Sequence, residues 1–408
     1  MSQGESSTQR QWDRTTHHGR RPSQLQFGLT FDLALPCNAN FDPETSYPPA
    51  EESFTLWEVY RALAAARYPT AITDCYHNRR IYSESARATL SEHDYFYEQQ
   101  RFAYWCLEEL EYRICEDNVE EEVGAFPVKL KTPITGEEQI VRGYPALMDV
   151  LGRVYRQAGE EIFLHKEYDL QVHVGQTNEG FGLREMKRIA TLSLFVEEMF
   201  LWPLTGPPRR RKFCTLNRDT SIAVNDPASS NSSYSMHNDR EARVDLPLDR
   251  GIFDFFGDSV QNIWSCSDLE ELENMVEDGP IRRPPAVRVR SHDPRGYTFV
   301  FKHSQSTFRT SFIEKWLVLI LSIGKATIFP PEHFKRVVVE LMSLYEWMRP
   351  SDSRPSRPEV VQRALDRFGR VMGEYWDVKV RGRDWVGELE AYRDGVNSEM
   401  EEDGWAIH

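Results

Sequence analysis

Side chains with different chemistries recur at alternate positions of three apolar stretches. Over Gln26–Leu35, Phe27, Leu29, Phe31, Leu33 and Leu35 fall on one side, and Gly28, Thr30, Asp32 and Ala34 on the other. Over Leu170–Val174, Gln171 and His173 oppose Leu170, Val172 and Val174. Over Tyr297–Lys302, Val300 and Lys302 oppose Phe299 and Phe301. A period of two is that of a half-buried strand, and residues two apart share a face. Asp32, Gln171, His173, Val300 and Lys302 are therefore predicted to line one face of a sheet. A carboxylate there offers a hard oxygen to a cation, an imidazole moves a proton near neutral pH, and an ammonium neutralises an anion.

Other candidates have both a chemical and a plain reading. His17 and His18 pair two metal-capable rings in a polar tail, where plain sequence is the simpler account. His165 and His173 are eight residues apart across a turn, which supplies no ligand geometry. The basic run Arg209–Lys212 could hold phosphate or form a solvated loop. Cys214 has no histidine beside it and reads as a buried thiol. The glycines between Gly175 and Gly182 lack a phosphate-loop pattern and read as a turn.

The supporting elements follow from pattern. Residues 1–25 read as a disordered polar tail. Helices are predicted over 53–66, 83–115, 144–159, 183–202, 266–277 and 312–326, with Ser267 as the N-cap of the fifth. A short strand is predicted over Val128–Lys131, and a Ser/Asn-rich loop over 218–236. After Pro330-Pro331 the chain, 331–408, reads as a helical extension interrupted by a polar linker. Short strands separated by long helices predict an α+β domain over 26–330 with an antiparallel sheet.

The ordered series Leu170–Gly175, Phe181–Ala190, Glu197 and Phe213-Cys214 resembles the amidoligase family common in fungi, relatives of glutamine synthetase and glutamate–cysteine ligase. That family carries a G-L-H-V-H-V-G strand, then a turn and helix, then F-E and an R-x-N-x-Y-C-like segment. Phe27–Asp32 resembles its F-G-V-E-x-E-F strand. Tyr112–Asp117 resembles its W-x-V-x-x-D, Val128–Pro133 its V-E-L-V-S-P, and Thr298–Lys302 its T-I-E-F-R. The resemblance implies a curved antiparallel sheet of glutamine-synthetase type, helices on its outer face, and ATP-dependent amide formation between a carboxylate and an amine. It also implies ATP and Mg²⁺ as cofactors. The roles it implies are Asp32, His173 and Glu197 on metal, Gln171 beside them in the cofactor site, Asp117 near substrate or metal, and Lys302 and Arg210 on phosphate.

The same comparison of motifs shows a direction of change. Acid positions are occupied by Thr30, Lys129 and Val300, the first histidine of H-x-H by Gln171, and the terminal arginine by Lys302. This predicts a degenerate metal site. The alternatives to ligation are an inactive member that keeps the cleft for ligand or protein binding, or a repurposed enzyme of a fungal secondary-metabolite pathway.

Composition limits the partners. The 408 residues hold 49 basic and 64 acidic side chains, a net charge of −15, which argues against nucleic acid and anionic lipid as partners. Trp316–Ile323, the longest apolar run, is far short of the roughly 20 residues a membrane span needs. The first residues lack the apolar core of a secretory leader. Six scattered cysteines match neither a disulfide framework nor a zinc site, which predicts reduced thiols in the cytoplasm.

Overall fold

The computed structural model describes residues 24–36, 55–74, 79–89, 104–109, 125–158, 162–165, 168–176, 180–204, 235–248, 253–277, 286–291, 297–348, 357–376, 380–385, 387 and 405–407. The expectations for residues 1–23 and 218–234 lie outside them.

The fold is α+β, built on one open, mixed sheet. Its strands are β1 (Leu25–Pro36), β2 (Thr70–Asp74), β3 (Arg79–Tyr82), β4 (Trp105–Glu109), β5 (Ala125–Lys131), β6 (Thr135–Gly136), β7 (Phe163–His165), β8 (Asp169–Gln176), β9 (Val287–Ser291), β10 (Tyr297–Gln305) and β11 (Trp405–Ile407). The main path runs β3-β2-β4-β5-β1-β8-β10-β9, with β6 and β7 also on β1 and β11 on β7. All pairs are antiparallel except β2 with β4, so the all-antiparallel expectation is corrected to a mixed sheet.

β1 is central. Its alternation is that of a strand with one apolar face, yet it is buried along almost its whole length because β5 and β8 flank it. The faces nonetheless differ in chemistry. Phe27, Leu29, Phe31, Val172, Val174, Phe299 and Phe301 all belong to one buried apolar cluster. Helices α1 (Thr55–Ala65), α2 (Glu84–Thr89), α3 (Glu138–Val141), α4 (Pro145–Gln157), α5 (Leu183–Val196), α6 (Arg240–Asp245), α7 (Phe253–Ser265), α8 (Leu269–Glu277), α9 (Thr310–Thr327), α10 (Pro331–Met348) and α11 (Arg357–Met372) complete the chain. α1, α4, α5, α9, α10 and α11 supply residues such as Val59, Val150, Ile189, Ile320, Leu341 and Phe368 to that same cluster. No helix among the described residues is long and apolar enough to cross a membrane.

Several element expectations change. Among the described residues of the helix expected over 83–115, Glu84–Thr89 form the short helix α2 and Trp105–Glu109 the strand β4. Tyr104, Trp105, Cys106 and Leu107 form an apolar run buried on both faces, and such a run has no periodicity to distinguish strand from helix. The helix expected over 183–202 leaves α geometry at Glu197 and continues as a π turn over Glu197–Leu201. The cap expected at Ser267 moves by one residue. Asp268 Oδ1 accepts from Glu271 N at 2.8 Å, and the Glu271 carboxylate accepts from Ser267 N at 2.6 Å, a reciprocal box around the start of α8.

Buried charges tie the helices together. Asp245 accepts from Arg184 and Arg188, and Arg188 Nη1 also donates to the carbonyls of Thr327 and Phe329. Lys325 pairs with Glu137 at 2.7 Å, and Glu137 also accepts from Leu25 N, which links α9 to the first residue of β1. Phe334, Val337, Val338 and Leu341 enter the common core, and Tyr345 Oη donates to the Phe195 carbonyl at 2.8 Å.

Candidate functional site

Strand register places the sheet-borne candidates on one face, opposite the helices. One transverse row runs Arg80, Thr73, Glu108, Lys129, Asp32 across β3, β2, β4, β5 and β1. The next runs Cys106, Lys131, Thr30, Gln171. A third runs Gly28, His173, Val300, Arg288. Lys302 falls within the register shift between Phe301 and Ser304, on the far side of Gln171. Asp32, Gln171, His173, Val300 and Lys302 thus share a face, for the reason that set the expectation: each opposes an apolar partner that the helices cover.

Contacts on this face are mostly between charges of opposite sign. Lys129 Nζ lies 3.5 Å from Asp32 Oδ1, and Lys131 Nζ lies 2.5 Å from Glu108 Oε2. Asp32 Oδ2 accepts from Asp169 N at 3.3 Å. His173 Nε2 and Thr30 Oγ1 are 3.3 Å apart. Asp32 is only 6% exposed, and burial pushes its carboxyl above the usual range despite the nearby Lys129 ammonium. Lys302 is pushed down to about 8 by burial, with Asp169 opposing the shift and Arg288 adding to it.

Glu197 is elsewhere. It lies in the π turn on the helix side of the sheet, buried, with Oε1 3.0 Å from His303 Nε2. His303 lies in the irregular stretch of β10 between Phe301 and Ser304, where Trp202 meets it edge-on at 5.4 Å. Glu197 is held by His303, and among the described residues the expected three-residue metal set is not assembled. The F-E motif gave no information on which side of the sheet its helix packs. Asp117, Arg210 and Cys214 lie outside the described residues, as does the side chain of His165.

The sequence reading missed Glu108, Lys131, Asp169 and Arg288 as members of the face. A signal existed for Arg288: Val287-Arg288-Val289-Arg290 alternates with a period of two, but the stretch is short.

Among the described residues, the side chains of this face do not fit Mg²⁺. A divalent cation needs several hard oxygens converging at about 2.1 Å. Of the carboxylates on this face, Glu108 is held by Lys131 and Asp32 by Lys129. Among the described residues no group of three or more His, Cys, Asp or Glu side chains is placed to hold a metal ion. No family model, no curated protein and no solved structure matches this chain.

Proposed function

We propose that this chain keeps an amidoligase-like sheet of glutamine-synthetase type but uses its polar face to bind a small anionic ligand, a carboxylate, without ATP-dependent ligation. The observation that carries this reading is the charge of the face. Glu108 and Asp32 are matched by Lys131 and Lys129 across neighbouring strands. Beyond β1 the described residues of the face add one carboxylate, Asp169, against the cations Lys302, Arg288 and Arg290. A surplus of cation in a partly desolvated site favours an anion over a divalent metal. In this reading Lys302 holds the ligand's carboxylate, and Gln171 and His173 supply neutral hydrogen bonds beside it.

Calorimetry on the purified protein tests it. A short dicarboxylate such as succinate is expected to bind without Mg²⁺, and Lys302→Gln to weaken binding by about tenfold or more, as for a lost charge-assisted bond. ATP is expected to show no Mg²⁺-dependent binding. Mg²⁺-dependent ATP turnover abolished by His173→Ala would instead support ligation.

A further inference from the structure

A cavity of about 280 Å³ lies between the end of α3, the first half of α9 and residues 380–385. Local structure fixes its walls. Gly143 and Tyr144, which follow α3, both adopt left-handed backbone, with φ of 71° and 51°, and Pro145 then opens α4. A left-handed conformation is rare for a bulky residue and persists where its surroundings hold it. The opposite wall is tied to α11. Asp366 accepts from Gly382 N at 2.8 Å, and a Cβ on Gly382 would collide with the Gln362 carbonyl, so the two segments touch backbone to backbone. Trp385, which is buried, meets Phe312 of α9 edge-on at 5.9 Å and so joins the two sides.

The lining combines two chemistries. Val141, Val318 and Trp385 are apolar, whereas Glu314 and Asp384 face the cations Lys315 and Arg381, two charges of each sign. Val141 is 78% exposed, so an apolar group lying on it would gain by covering it. Gly143 shows where the Glu314 carboxylate stands. A Cβ built on Gly143 would have Glu314 Oε1 at 3.8 Å and, among the described residues, no other atom of a non-adjacent residue within 4 Å. The missing side chain of Gly143 thus leaves open the space before that carboxylate. Neither Glu314 nor Arg381 is held in a side-chain hydrogen bond or ion pair among the described residues. A lining of zero net charge exerts little pull on a lone ion, whereas a ligand that carries both signs can meet both.

We infer that this cavity binds a small α-amino acid with an apolar side chain, its ammonium on Glu314, its carboxylate on Arg381 and its side chain against Val141, Val318 and Trp385. A cavity of about 150 Å³ accepts benzene, and the larger volume here holds an amino acid of the size of leucine. The guanidinium offers a two-pronged donor that matches a carboxylate, and a carboxylate accepts from an ammonium; both bonds are charge-assisted. The apolar walls favour a hydrocarbon side chain over none. No lining residue belongs to the sheet, so the site is separate from the one proposed for an anion.

The test is saturation-transfer NMR on the full chain with leucine and three analogues. These are 4-methylpentanoate, which lacks the ammonium, 3-methylbutylamine, which lacks the carboxylate, and glycine, which lacks the side chain. Leucine is expected to bind saturably, and each analogue about tenfold or more weakly. Glu314→Gln should remove the preference for leucine over 4-methylpentanoate, and Arg381→Gln the preference over 3-methylbutylamine. The same titrations in Lys302→Gln, which removes any carboxylate held at the sheet face, should give the same preferences. No saturable binding of leucine, valine or phenylalanine to the wild type at about ten millimolar would overturn the proposal. So would both preferences surviving in Glu314→Gln and Arg381→Gln proteins that circular dichroism shows to be folded, or leucine binding that is lost in Lys302→Gln.

Discussion

Lys302 occupies a position where an ammonium is costly to keep. Its folded-state pKa of about 8 lies below the ordinary lysine value, so below pH 8 the folded protein carries a buried cation that the unfolded chain would solvate. The penalty is fully present below about 8 and is relieved as pH rises from about 8 to about 10.5, where the unfolded chain binds the proton and the folded one does not. Lys302→Met is therefore expected to raise stability at pH 7, by up to about 3 kcal/mol. Its advantage over wild type in urea unfolding should shrink between pH 8 and pH 10.5, and a pH-independent difference would contradict this. Asp32 behaves in the mirror sense. Lys129→Gln removes the ammonium that opposes its desolvation, and should destabilise the protein near neutral pH while raising the carboxyl pKa further, read by carbon-13 NMR titration. Asp32, Gln171, His173 and Lys302 were legible in the sequence because a period of two assigns each residue to a face. Glu197 was not, because a helical periodicity shows which stripe is buried but not which side of a sheet it covers.

Among the elements, the long helices and the central strands were readable and the short strands were not. α4, α9 and α10 carry apolar stripes over many residues, and β1, β8 and β10 alternate over ten, five and six residues. β4 has five residues and both its faces are buried, so its pattern was taken for part of a helix. The junction before α4 was not legible either. Nothing in Arg142-Gly143-Tyr144-Pro145 requires Tyr144 to be left-handed, although a glycine followed by a residue before proline marks a turn. Gly143 does need its conformational freedom. Gly143→Ala should cost about 1 kcal/mol, because a Cβ disfavours that backbone even though the nearest neighbour, Glu314, leaves it room. Thermal unfolding checks this, and an unchanged melting temperature would mean the junction relaxes to another conformation.

For the molecule as a whole, Asp245 joins α6 to α5, and through Arg188 to the end of α9 and to α10. Burial would raise its carboxyl pKa, but hydrogen bonds from Arg184 and Arg188 outweigh that and hold it below the ordinary value. The resulting stability is present above about pH 4 and is lost as pH falls through the depressed folded value. Asp245→Asn leaves Arg188, 3% exposed, without its counter-charge, and should cost about 3–5 kcal/mol at pH 7 in denaturant unfolding. The gap between wild type and variant should hold from pH 7 to pH 5 and narrow below about pH 4. A gap that instead widened on acidification would show that another carboxylate governs acid unfolding. Removing the chain from Pro331 onward should leave an insoluble product, since α10 supplies Phe334 to the Arg188 side chain and Leu341 to the shared core.

The strand order also has a consequence in time. The partner β8 of β1 lies more than a hundred residues later in the chain, and β10 lies more than a hundred beyond that. At roughly 5–20 residues per second of synthesis, the β8-facing edge of β1 waits on the order of ten seconds for its partner. During that interval Phe27, Leu29 and Phe31 form an unpaired, apolar edge strand, the feature most prone to pairing with another chain. The nascent protein is thus expected to need a chaperone that shields extended apolar segments, and slower translation across residues 37–168 should lower its soluble yield.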